Sequence, residues 1–335
     1  AAESWKSESF AHRKRVMMRF HDLVLEHQGT LLDVVQWETG KSRASAFDEV
    51  ADIALTARYY ANSAETHLRP EKRQGALPFV TQTRVHFQPK GVVGMITPWN
   101  YPLTLPLSDA VPALMAGNGI VLKPDAQTPF SALSALHLLY QAGLPEGLFQ
   151  VVIGDGPELG TAIINNANFV MFTGSTATGK IVAEQAARRL IGFSAELGGK
   201  NPMIVLDDAP LERALEGAIT ASFSNAGQLC MSIERLYVHE GIYDRFVPRL
   251  IEEVRKLRLG TAFDFSYEVG ALISAEQLEK VQAHVSDALE RGATLLAGGS
   301  HRPDIAPYAF EPTLLTGVTE DMMLCRGETF GPVVA

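Results

Sequence analysis

The chain has 335 residues, 46% of them hydrophobic and 20% charged, with a net charge of −9; this is a globular composition with length enough for two cores. The acidic balance argues against a nucleic-acid partner, because such binding rests on cations that neutralise backbone phosphate. Cys230 and Cys325 are too few for a disulfide framework, the scattered histidines show no metal-ligand spacing, and no apolar run reaches the roughly 20 residues that span a bilayer.

These bulk properties lead us to expect a protein of a reducing, cytoplasmic compartment with no metal and no membrane partner. From about Ser4 to Ala64 apolar residues such as Met17, Phe20, Leu23 and Val24 recur at helical spacing. The short basic cluster Arg13-Lys14-Arg15 reads as the solvated face of that helix. "TRVHFQPKGVVGMI" then alternates like a strand entering a buried one. Three strand–helix pairs follow: "GIVLK" before "PFSALSALHLLYQAG", "LFQVVIG" before "PELGTAIINNA", and "FVMFTG" before "ATGKIVAEQAARRL". Strands alternating with helices predict βαβ units and a doubly wound parallel sheet.

"GFSAELGGKNPMIVL" reads as a boundary between domains, at 195/196. Beyond it a second α/β series is predicted: a helix at Leu211–Ser224, a strand at Ile233–His239, helices at Tyr243–Leu257 and Ala275–Arg291, then strands in "ATLLAGG" and "FEPTLLTGV". The chain closes on "ETFGPVVA", inside a strand-like run, and the expectation is that further C-terminal sequence exists, because a bare strand edge is a poor place for a domain to stop.

The Gly-rich turn after "FVMFT" has the makings of a phosphate cradle: free amides after Gly174, the hydroxyls of Ser175 and Thr176, and a helix dipole. Gly174 to Lys180 reads G-x-x-x-x-G-K, but Ile181 stands where a P-loop needs a Mg²⁺-binding hydroxyl. No G-x-G-x-x-G dinucleotide fingerprint is present either. Taken singly, Cys230 reads as a buried thiol, Glu196 as a capping or paired carboxylate, Asn100 as turn chemistry, and Lys123 as a residue closing a strand.

Jointly, "TPWNYP", "KP…QTP", "FTGSTATG", "ELGGKNP", "GQLC" and "ETFGP" occur in an order that resembles the NAD(P)⁺-dependent aldehyde dehydrogenase superfamily almost end to end. The likeness is nearest its actinobacterial succinic semialdehyde dehydrogenase-like members. The resemblance implies a doubly wound cofactor domain at 1–195, with a bridging hairpin at about 79–90, and a second α/β catalytic domain at 196–335, incomplete at its C-terminus. It implies homodimers or homotetramers. It makes Cys230 the nucleophile, lets the Asn100 side chain and the Cys230 N–H stabilise an oxyanion, and gives Glu196 the task of activating water, in a partly apolar pocket that raises its basicity.

For the cofactor the same resemblance implies Gly174 and Ser175 at the pyrophosphate, with Thr173 before them, and Lys123 at the adenosine ribose. Gly156 and Pro157 would lie near adenine. Thr97, Pro98, Trp99 and Leu197 lie towards the nicotinamide end, Glu328 on its ribose and Phe330 beside its ring. Ala126 stands where NAD⁺-preferring members often carry glutamate, so either NAD or NADP is expected, with NADP favoured. Ser108 and Ser224 stand where succinic semialdehyde enzymes carry carboxylate-binding arginines, so an aldehyde substrate is expected but poor use of the semialdehyde. The competing readings are a P-loop NTPase or kinase and a catalytically silent dinucleotide-binding fragment.

Overall fold

A computed structural model describes residues 1–77 and 79–335. They separate into two compact units, one of Ala1–Leu31 with Glu49–Glu196, the other of Leu32–Asp48 with Leu197–Ala335. The early segment Leu32–Asp48 thus belongs with the late residues, which no local pattern in the sequence announces.

In the first unit, strands of the described residues line up in the order 149–151, 119–123, 92–96, 169–174, 192–197. Val92–Ile96 pairs in parallel with both Gly119–Lys123 and Phe169–Gly174, and Gly119–Lys123 pairs in parallel with Phe149–Val151. Side chains alternate across such a sheet. Val93, Met95, Ile120 and Leu122 are buried on one face, where the register sets Val93 beside Ile120 and Met95 beside Leu122. On the other face Ile96, Val170 and Phe172 pack with Ile164 and Val182 of helices Gly156–Asn166 and Thr176–Arg188. The predicted doubly wound parallel sheet is therefore present.

Helix Phe10–Glu26 buries Val16, Met17, Phe20, Leu23 and Val24 and contacts helices Thr104–Met115 and Pro129–Gln141. Lys14 and Arg15 of the basic cluster are exposed as expected, but Arg13 corrects that reading for its own position. It is 5% exposed, and its guanidinium donates to the carbonyls of Met115 (2.9 Å), Trp5 (3.3 Å) and Lys6 (2.9 Å). A cation at the C-terminus of helix Thr104–Met115 satisfies carbonyls that the helix leaves open.

The hairpin expected at about 79–90 lies earlier. Glu71–Arg73 pairs antiparallel with Thr83–Val85. The register puts Glu71 opposite Val85, so the arm upstream of the expected span supplies half of the ladder.

In the second unit Asn201–Val205 and Ile233–Val238 pair in parallel, and Thr313–Thr316 lies between Thr294–Ala297 and Val333–Val334. The Leu236 N–H donates to the Ala335 carbonyl at 2.7 Å and the Ala335 N–H to the Glu234 carbonyl at 3.3 Å. These bonds tie the two sets of strands together. Helices Leu211–Phe223, Glu240–Lys256 and Ala275–Glu290 bury Leu215, Phe246, Leu250, Val281 and Val285 in one core with Leu314 and Val333. Among the described residues no helix is long and apolar enough to cross a membrane.

Candidate active site

In the first unit the chain runs outward from strand Val92–Ile96 to one side, then returns to build Phe169–Gly174 on the other. Ligands of doubly wound sheets lie at the carboxyl ends of the strands flanking such a reversal. Thr97, Pro98, Trp99 and Asn100 follow one of those strands; Thr173 and Gly174 end the other, and Ser175 follows. Lys123 and Ala126 follow the next parallel strand, and Gly156 and Pro157 open the helix after Phe149–Val151. Parallel topology thus brings these candidates to one edge.

The Thr97 N–H donates to the Lys123 carbonyl at 3.1 Å, which prolongs the ladder beyond the strand. Lys123 is buried, and its ammonium donates to the Pro124 carbonyl at 3.1 Å. Ser175 caps helix Thr176–Arg188, its hydroxyl accepting from the Thr178 N–H at 3.2 Å. The amides of Thr176 and Ala177 in that first turn precede any intrahelical partner. A Cβ on Gly174 would stand 2.7 Å from Phe172 Cζ, so a side chain at this position would have to displace that ring. Asp155 caps helix Gly156–Asn166 in the same way, accepting from the Glu158 N–H at 3.2 Å, while Ala126, Gly156 and Pro157 are exposed. Among the described residues the buried Thr97 hydroxyl has no hydrogen-bond partner. An open anion cradle at a helix N-terminus, a buried lysine and an unspent hydroxyl along one strand edge fit a dinucleotide.

Asn100 is 5% exposed. Just after it, Glu49 accepts the N–H groups of Leu103 (2.8 Å) and Thr104 (3.0 Å) and so caps the helix that follows from a position more than 50 residues earlier. Further along that helix the Ser108 hydroxyl donates to Asp52 at 2.6 Å. Asp109, one residue on, is pushed up to about 6 by burial and by the nearby Glu196 charge. Glu196 itself is exposed, at the end of strand Gly192–Leu197. The burial expected around Glu196 is found around Asp109, a residue that no motif singled out.

In the second unit Cys230 is half-buried and follows a strained turn. Asn225, Ala226 and Gly227 have φ values of 49°, 54° and 69°, a left-handed run costly for the two residues with side chains. Gly227 presses against the Gly331 carbonyl so closely that no side chain would fit. The loop carrying Cys230 is thereby seated on the turn carrying Glu328 and Phe330. The Asn201 side-chain amide donates to the Cys230 carbonyl at 2.7 Å and to the Ser232 carbonyl at 3.0 Å. Gln228 braces the same loop, accepting from the Ile273 N–H at 3.0 Å.

Glu328 accepts the Gly199 N–H at 3.2 Å. Its carboxyl is raised above the usual glutamate value, first by burial and then by the charge of Glu234. Leu197, two residues before Gly199, is exposed. The Ser224 hydroxyl donates to the Thr220 carbonyl at 2.7 Å, and Arg235 donates to the Cys325 carbonyl at 2.8 Å. Sequence reading missed Glu49, Asp109, Asn201 and Glu234; of these Asn201 lay inside the quoted "GGKNP" and Glu234 on the strand predicted at Ile233–His239, but neither was given a role.

The profile of the "Aldehyde dehydrogenase family" matches residues 1–335. A Mycolicibacterium smegmatis protein named "Putative succinate-semialdehyde dehydrogenase", with NADP(+) as its stated cofactor, is 54% identical over the whole of this chain. A Mycobacterium tuberculosis protein of the same name, numbered 2, is 52% identical over the same span. The chain spans about 65% of the length of these curated relatives. The crystal structure of succinate-semialdehyde dehydrogenase from Burkholderia pseudomallei superposes with a TM-score of 0.95 at 38% identity, covering 100% of this chain and 69% of that one. The P-loop alternative finds no support in these matches.

Proposed function

The chain belongs to the aldehyde dehydrogenase family, and from that premise we propose that it oxidises an aldehyde to a carboxylic acid through a thioester on Cys230, with NAD(P)⁺ as hydride acceptor. The observation that carries this reading is the seating of the Cys230 loop on the Glu328–Phe330 turn, through Gly227 and Gly331. In this reading the Cys230 thiolate adds to the aldehyde carbon. The Asn100 amide and the Cys230 N–H stabilise the oxyanion, each such donor contributing on the order of 3 kcal/mol to the transition state. The carboxylate of Glu196 then takes a proton from the water that hydrolyses the thioester. When bound, the nicotinamide ring supplies a hydride acceptor.

Gly174 and Ser175 would hold the pyrophosphate, with Thr173 behind them and Gly156 and Pro157 beside the adenine. Lys123 would hold the adenosine ribose, with the exposed Ala126 leaving room for a 2′-phosphate; Glu328 would hold the other ribose. Thr97, Pro98, Trp99, Leu197 and Phe330 would line the nicotinamide end. Asp155, Glu49 and Asn201 orient these groups without touching the reactants.

The substrate is proposed to be an aldehyde without a distal carboxylate. The hydroxyl of Ser108 is already committed to Asp52, and that of Ser224 to a backbone carbonyl. Neither supplies the guanidinium fork that recognises a carboxylate well. The succinate-semialdehyde name is that of the relatives. A homodimer or homotetramer is the expected assembly.

The test is an NAD(P)⁺ reduction assay of the full-length enzyme over an aldehyde panel, with both cofactors. The expected result is turnover of uncharged aldehydes at a higher kcat/KM than succinic semialdehyde, a higher kcat/KM with NADP⁺ than with NAD⁺, and at least about a thousandfold loss in Cys230→Ala. Dinucleotide binding without turnover of any aldehyde would leave a catalytically silent dinucleotide-binding protein in its place. A clear preference for the semialdehyde would overturn the substrate proposal alone, and a strong preference for NAD⁺ the cofactor preference alone.

A further inference from the structure

Behind the turn that carries Glu328 and Phe330 lies a buried polar cluster that the reaction itself does not use. Glu234, on strand Ile233–Val238, is 2% exposed. Its carboxylate accepts the Thr329 N–H through both oxygens (3.1 and 2.8 Å) and the Phe330 N–H at 2.9 Å. It also pairs with Lys200, whose side chain is 9% exposed. Lys200 donates onward to the Thr329 hydroxyl at 3.1 Å. That hydroxyl lies 3.1 Å from His284 Nδ1.

Burial outweighs the pull of Glu234 and lowers the Lys200 ammonium below the usual lysine value; burial lowers His284 too. The Lys200 ammonium donates to Thr329 Oγ1, and the Thr329 hydroxyl and His284 Nδ1 share the next hydrogen bond, whose direction follows the histidine tautomer. From the same face of helix Ala275–Glu290, about two turns before His284, Gln277 donates to the carbonyls of Thr329 (3.0 Å) and Phe330 (2.7 Å). Phe330 sits at φ 57°, a left-handed conformation that a bulky residue adopts only when its surroundings enforce it.

We infer that Lys200, Glu234, Gln277, His284 and Thr329 are positioning residues that hold the Glu328–Phe330 turn in a strained conformation and so set the affinity for the dinucleotide. Both amides and both carbonyls of residues 329 and 330 are taken by side chains from other elements, and the one side chain at the centre, Thr329, is fully buried. The left-handed backbone at Phe330, beside the proposed cofactor contacts, is the feature that points past a purely structural role. The inference rests on the cofactor roles proposed above for Glu328 and Phe330.

The test compares Thr329→Val, which keeps the shape and removes the hydroxyl, with Thr329→Ser, which restores it, in the full-length enzyme. Two quantities are read: the Kd and KM for NADP⁺ against the KM for aldehyde, and amide hydrogen exchange across residues 327–331 without cofactor. Thr329→Val is expected to weaken NADP⁺ binding about fivefold to tenfold, the usual effect of one lost buried hydrogen bond, with aldehyde KM unchanged and exchange at Phe330 faster by a similar factor. Thr329→Ser is expected within about twofold of wild type in both. Cofactor affinity that holds within twofold in Thr329→Val, or an equal rise in aldehyde KM, or unchanged exchange, overturns the inference. If the wild-type enzyme binds no dinucleotide, the cofactor reading falls and the inference about affinity falls with it; the exchange data then show whether the clamp survives as a purely structural device.

Discussion

The first unit places its candidate groups by topology, and the second places them by long-range side-chain bonds. In the first, Gly174, Ser175, Gly156 and Pro157 sit where they do because parallel strands end together and helices begin there, each with a local cap three residues away. In the second, Cys230 and Phe330 are held by Asn201, Glu234 and Gln277, which lie 29, 96 and 53 residues from the groups they bind. Many backbone bonds share the load in the first unit, so it should bend under substitution where the second breaks.

That contrast is sharpest at Glu234. Glu234→Ala leaves the Lys200 charge buried alone and strands two backbone amides, and its expected cost is about 3–5 kcal/mol in urea unfolding. Asp155→Ala, the corresponding loss of a local anchor in the first unit, is expected to cost about 1 kcal/mol. Equal costs at the two positions would erase the distinction.

Asp109 gives a smaller effect of opposite sign. Its folded value, about 6, lies above the usual 3.8, so the folded state holds this proton more tightly than the unfolded chain does. Stability therefore falls as pH rises from about 4 to 6, and the ionised group remains a burden at neutral pH. Asp109→Asn should raise stability by about 1–2 kcal/mol at pH 7.5 and by almost nothing below pH 4. The comparison is made from unfolding midpoints across that range. A gain that persists unchanged at pH 3.5 would show that shape, and not charge, is responsible.

The same contrast governs what the sequence made legible. Helices at Leu211–Phe223, Glu240–Lys256 and Ala275–Glu290 fall within a few residues of their predicted bounds, because an amphipathic stripe is a local signal. The alternation of strands and helices likewise carries the doubly wound sheet. Arg13 was misread because its partners at Met115, Trp5 and Lys6 are carbonyls, which have no sequence signature. Glu49 caps a helix 54 residues away, whereas capping motifs are recognised only when the cap precedes its own helix. The strand opposite Thr83–Val85 was missed because Glu71–Arg73 is a charged, exposed three-residue segment with no alternation to read. Glu196 was expected in a partly apolar pocket as part of the role the resemblance implies, but it is exposed near the end of strand Gly192–Leu197, and no local pattern reports what covers a strand end.

Both units serve one claim, that Cys230 carries the acyl group. Mass spectrometry of the full-length enzyme, quenched during turnover of an aldehyde, reads this directly. A thioester mechanism predicts an acyl mass on the peptide containing Cys230 that disappears in Cys230→Ala; sustained aldehyde oxidation with Cys230 never modified would contradict it.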